Sequence, residues 1–109
     1  MKQIQFLPIS EASRLYSPGE GRHFFDASSM RFFRSRLPQF AYSGPGGIYF
    51  VTSEQFVSGS YRKPRRYTVR KLTPHSGEQR GSVDTIGEFN VLSRYEANKL
   101  AAQLAAGNA

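Results

Sequence analysis

Apolar and polar positions recur in two distinct periods along this chain, and the clearest pattern closes it. Ala97, Leu100, Ala101, Leu104 and Ala105 fall at i, i+3, i+4, i+7 and i+8, one face of a helix. Ser93-Arg94-Tyr95-Glu96 ahead of them forms a capping box. The Ser93 hydroxyl accepts from the Glu96 amide, and the Glu96 carboxylate reaches back to the Ser93 amide. Leu92 stands where it can staple onto Ala97, and Gly107-Asn108 ends the helix. A face built from small residues suits close packing on a sheet.

Period-2 patterning fills the middle. From Arg65 to Leu72, Tyr67 and Val69 share one face and Arg66, Thr68 and Arg70 the other. Val83 to Phe89 reads as its antiparallel neighbour across a turn-rich loop. Residues 39–42 and 47–53 read as a hairpin around Ser43-Gly44-Pro45-Gly46. Ile48-Tyr49-Phe50-Val51 is apolar on both faces, as in a strand covered on both sides. Residues 54–64 read as a loop, broken by Gly59, Ser60 and Pro64. Met30, Phe33 and Leu37 behind a Ser28 or Ser29 cap predict a short helix over 29–36 that stops before Pro38. A strand is the alternative there, because Phe32 and Phe33 are aromatic.

Residues 1–26 read as an irregular N-terminal arm, with room for a short strand at Ile4 to Leu7 and one or two helical turns over Ser10 to Tyr16. Residues 27–109 then form a single α+β domain. Its expected architecture is an antiparallel sheet of three to four strands against a C-terminal helix, with a short N-terminal helix. A chain of 109 residues supports one modest core.

Charge sharpens this picture. The net charge is +7, with 15 Lys and Arg against 8 Asp and Glu. Residues 27–77 hold Arg31, Arg34, Arg36, Arg62, Lys63, Arg65, Arg66, Arg70 and Lys71 against Glu54 alone, which is 9 − 1 = +8. The flanking segments sum to near zero. Arginine dominates, and guanidinium forks match phosphate oxygens and the edge of guanine. A confined, Arg-rich patch is the electrostatic footprint of a nucleic-acid binder. Its bland counterpart is a solvated basic face, or cross-strand ion pairs from Arg66 and Arg70 to Asp84 or Glu88.

Catalytic signatures are missing. There is no phosphate loop, no GxGxxG, no GxSxG and no HExxH. Gly47-Ile48-Tyr49 matches the first half of the GIY-YIG nuclease signature, but the second half reads Tyr67-Thr68-Val69, followed by a Pro/Gly loop. Cys is absent, and His23 and His75 have no companion ligands in sequence. No catalytic residue, metal or cofactor is therefore expected. With no signal segment and no apolar run long enough for a membrane span, the expected setting is the cytoplasm, with no membrane partner.

The stretch Arg66-Tyr67-Thr68-Val69-Arg70, then Gly87-Glu88-Phe89, then the Ala-rich helix around Ala97, Ala101 and Ala105, resembles AP2/ERF-type and phage integrase arm-type DNA-binding domains over residues 47–106. That resemblance implies a three-stranded antiparallel sheet packed on a helix, with the free face entering the major groove. It also implies base or phosphate contacts by Arg66 and Arg70, with Arg62 and Arg65 nearby.

Independently of any family, a helix covering Tyr67 and Val69 puts Arg66 and Arg70 on the opposite, open face. The expected binding set is Arg62, Lys63, Arg65, Arg66, Arg70 and Lys71, widened by Arg31 and Arg34. Tyr61 is the best candidate for an exposed stacking ring. The function expected is that of a small basic module binding nucleic acid, DNA before RNA, and duplex DNA through the open sheet face. The alternative is a phage- or plasmid-type accessory or inhibitor protein meeting an acidic protein surface.

Overall fold

The structure, a computed structural model, describes residues 4–16, 33–76, 81–88 and 91–107. In chain order the elements are β1 (Gln5–Pro8), α1 (Ile9–Tyr16), β2 (Phe33–Arg36), β3 (Phe40–Gly44), β4 (Gly47–Ser58), β5 (Tyr61–Arg62), β6 (Arg66–Thr73), β7 (Ser82–Ile86) and α2 (Arg94–Ala106). All strand pairings are antiparallel. The spatial order is β1-β3-β4-β6-β7, with β2 and β5 also paired to β4.

The α+β class and the C-terminal helix agree with the sequence reading, but the sheet is larger than three to four strands. Three segments explain the difference. Residues 33–36 form β2 rather than the end of a helix, because pairing with residues 53–56 of β4 outweighs the local helical spacing. Residues 29–32 of the expected helix lie outside the described residues. In the N-terminal arm the short strand and the helical turns that the sequence left room for are β1 and α1, and they join the fold: β1 pairs with β3, and Ala12 of α1 is fully buried. The expected loop over 54–64 is largely strand, since β4 continues to Ser58 and turns at Gly59-Ser60 into β5. Pro64, with no amide hydrogen to give a ladder, separates β5 from β6 along the same edge of β4.

β4 is the axis of the sheet, and both of its faces are buried. On one face Tyr49 and Val51 meet Val69 of β6 and the Ala97, Ala101 and Ala105 stripe of α2. With no side chain beyond a methyl on that stripe, helix and sheet approach closely. On the other face Phe50 and Leu72 pack with Ala41 and with Ala12 of α1. Each large side chain so buried contributes on the order of 1.5–3 kcal/mol.

Both ends of α2 are anchored. Leu92 bridges Tyr67 through paired backbone hydrogen bonds of 2.9 and 3.2 Å, which ties the helix entry to β6. The capping box forms as the sequence predicts, with both hydrogen bonds at 3.1 Å. At the other end Gly107 adopts the left-handed conformation that releases the chain. There the β3–β4 turn slides beneath the helix, and the Gly46 amide donates to the Ala105 carbonyl at 2.8 Å. A Cβ at Gly46 would overlap the Leu104 carbonyl oxygen, so only glycine fits.

Gly46→Ala is therefore expected to lower stability by about 1–3 kcal/mol, as overpacking does. Gly59→Ala gives a control for strain alone, since a Cβ there meets nothing within 4 Å but the backbone φ is positive. Urea denaturation measures both. A second expectation concerns pH. The Ser93 hydrogen bonds, helped by the Arg66 charge, hold the Glu96 pKa below its ordinary value. A depressed carboxyl stabilises the fold above its unfolded pKa, and that contribution is lost as pH falls through the folded one. The stability gap between the protein and Glu96→Ala should be widest near neutrality and should narrow only in the acid range.

Candidate functional site

The row Arg66, Thr68, Arg70 splits. Arg66, at the start of β6, is exposed, but Thr68 is fully buried and Arg70 is 6% exposed. Glu54 of β4, also fully buried, accounts for this. Arg70 donates from Nη2 to Glu54 Oε2 at 3.4 Å, from Nε to Thr52 Oγ1 at 3.1 Å and from Nη1 to Thr85 Oγ1 at 2.6 Å. The Thr68 hydroxyl donates to Glu54 Oε1 at 2.8 Å. Burial lowers the Arg70 pKa, and Glu54 partly offsets that. The neutralising acid is Glu54, not the Asp84 or Glu88 of the sequence reading. The expected open face is therefore a buried polar layer, and Arg70 is withdrawn from any surface.

Lys71 is half-buried on the α2 side, its Nζ 5.8 Å from the Tyr49 ring centroid. Arg62 and Lys63 are exposed beside the β4–β5 turn, with Lys63 Nζ 5.8 Å from the Phe56 ring centroid. Tyr61 is 58% exposed, its ring edge-on to Phe56 at 6.2 Å. Arg34 lies in β2 opposite Gln55, and Arg31 is outside the described residues.

Arg65 points to a site that the sequence reading missed. Its guanidinium donates from Nη1 to the Ser53 carbonyl at 3.0 Å and to the Ser53 hydroxyl at 3.1 Å. Burial, and next the charge of Arg36, hold its pKa below the ordinary value, while Tyr67 and Glu54 pull it upward. Arg36, opposite Ser53 in the β2–β4 ladder, thus stands close to Arg65. Ser53 and Arg36 in turn line a groove of about 390 Å³ on the α2 face of the sheet. Its floor includes Val51, Ser53 and Tyr67. Arg94 and Asn98 of α2 line it as well, as do Phe6, Phe40 and Tyr42 of β1 and β3.

The groove has a structural cause. β2 and β3 both pair with one edge of β4, yet from Arg36 to Tyr42 the chain advances six residues while their partners, Ser53 and Tyr49, are four apart. Two extra residues must bulge out, and they do so at Leu37-Pro38-Gln39, where proline cannot join the ladder. The Gln39 carbonyl accepts from the Ile9 amide at 2.9 Å, which fixes the bulge to the start of α1. Beside it Tyr42 donates to Asn98 Oδ1 at 3.0 Å, and Asn98 Nδ2 donates to the Arg94 carbonyl at 2.9 Å.

Two arginines line the groove and a third is bonded to its floor, beside the aromatic rings of Phe6, Phe40, Tyr42 and Tyr67. None of the described residues lining it carries a carboxylate. Among the described residues there is also no group of three His, Asp or Glu able to hold a metal, and no helix long and apolar enough to cross a membrane.

Breaking the buried pair tests its role in the fold. Glu54→Met alone should cost about 3–5 kcal/mol, because a buried guanidinium is left without its partner. Glu54→Met with Arg70→Met should be less destabilised than that single variant, as read from urea denaturation midpoints.

No curated protein and no solved structure matches the chain. α2 packs on three neighbouring antiparallel strands, β3, β4 and β6. Here they sit inside a wider sheet whose second face is buried at β4 and β6. Residues 8–103 match DUF7447, a family of unknown function, and with most of its length spanned the chain belongs to that family.

Proposed function

We propose that the protein is a small, non-catalytic nucleic-acid-binding module of the cytoplasm that grips DNA by the groove beside α2. The observation that carries this reading is the convergence of Arg36, Arg65 and Arg94 on one groove with aromatic walls and no carboxylate among its described lining residues. Guanidinium groups supply phosphate contacts, and rings supply faces on which bases stack. Arg62 and Lys63, exposed at the β4–β5 turn, extend the cationic surface. The working face in this reading is the α2 side, since Arg70 and Thr68 on the other side are buried.

Net charge supports the same reading. Glu54 is the single acid among residues 27–77, and it is committed to Arg70. With that pair included, residues 27–77 carry a net charge of +8. Such a field draws in polyanions and makes binding depend on salt.

Fluorescence anisotropy with labelled oligonucleotides across a salt series tests the reading. Affinity should fall log–log with salt, by roughly 0.9 per phosphate engaged on a duplex or roughly 0.7 on a single strand. Arg36→Ala with Arg94→Ala should weaken binding and make the slope shallower by about two contacts. Binding that ignores salt, or that survives both substitutions unchanged, contradicts the reading. Silence toward DNA and RNA at low salt would move it to an acidic protein partner.

A further inference from the structure

We infer that the groove accepts an unpaired nucleotide, its base against the aromatic wall and its phosphate among the arginines, so that the protein prefers single-stranded to duplex nucleic acid. This rests on the nucleic-acid reading above and narrows it.

The wall is built before any ligand arrives. Phe6 stands 5.5 Å from Tyr42 and 6.4 Å from Phe40 between ring centroids, tilted to one and edge-on to the other. Yet Phe6 is 65% and Phe40 49% exposed. Large rings left in water beside a recess are a site for another flat apolar surface. They come from β1 and β3, paired in register, so their positions are set by the sheet rather than by a loose loop.

Chemistry narrows the occupant. An aliphatic or purely apolar ligand leaves the arginines unanswered. A bare phosphate leaves the rings unanswered. A nucleotide answers both, with its π-face on Phe6 and Phe40 and its phosphate toward Arg36 and Arg94. The volume of about 390 Å³ lies within the range of roughly 300–1,000 Å³ usual for small-ligand sites. A paired base cannot enter, because in a duplex both of its faces are stacked and its phosphates lie on a convex outer surface. Binding the convex surface alone would leave the recessed rings without a role.

Competition anisotropy separates the possibilities, using labelled (dT)12, a blunt 12-base-pair duplex and free thymidine monophosphate. The expected result is roughly tenfold or tighter binding of the single strand over the duplex. Phe6→Ala and Phe40→Ala, made singly and checked by circular dichroism for retained fold, should erase that preference and leave salt-dependent duplex binding in place. Equal affinity for both forms, unmoved by the ring variants, overturns this inference while the nucleic-acid reading stands. No binding to either form overturns both. Free mononucleotide competing as well as the strand makes the groove a mononucleotide site and overturns the strand preference.

Discussion

A carboxylate and a guanidinium buried side by side in the centre of a sheet hold one another in place, because neither can leave water alone. Glu54 and Arg70 are such a pair, wrapped by the hydroxyls of Thr52, Thr68 and Thr85. Their alternation pins the register of β4 against β6. A slip of one residue would carry Glu54 to the opposite face of the sheet and part it from Arg70 and Thr68. The same pairing consumes the one acid of the basic segment. The surface field of the protein is thus partly a consequence of how its interior is satisfied.

The groove follows from a second constraint, the interruption of one edge of β4. A strand running unbroken from Phe33 to Gly44 would close that edge. Pro38 and two surplus residues force it to bulge instead, and α1 ties the bulge down through Gln39. What remains is a recess with Val51 and Ser53 on its floor and α2 alongside. Arg36 sits on the strand entering the bulge, Phe40 on the strand leaving it, and Arg94 at the first position of α2. Fold and site share one cause: the sheet must bury both sides of β4, and the proline prevents it from doing so seamlessly.

The parts legible in the sequence were those set by local chemistry. The capping box, the alanine stripe, the Gly107 exit and the Tyr67/Val69 face of β6 all depend on residues within a few positions of each other. The parts that were not legible depend on long-range pairing. β2 carries a helical spacing and becomes a strand only because β4 offers an edge. Arg36 and Arg94 lie far apart in the chain, and nothing local says that they meet. Two features of the sequence do point to the buried layer. Ile48 to Val51, apolar on both faces, already required cover on both sides of the sheet, which is incompatible with an open face carrying Arg70. Glu54, alone among nine basic residues and placed next to a strand pattern, is what a buried partner for arginine looks like in sequence.

Chemical-shift mapping by NMR on the intact chain, titrated with an unlabelled oligonucleotide, tests the location of binding most directly. The account predicts that the largest changes fall on Arg36, Ser53, Tyr67, Arg94 and Asn98, with the Arg36 and Arg94 side-chain Nε signals among them. The Arg70 Nε signal, held inside its network with Glu54, should stay where it is. Changes centred on the Arg70 side of the sheet, or none near the groove at saturating oligonucleotide, would contradict it.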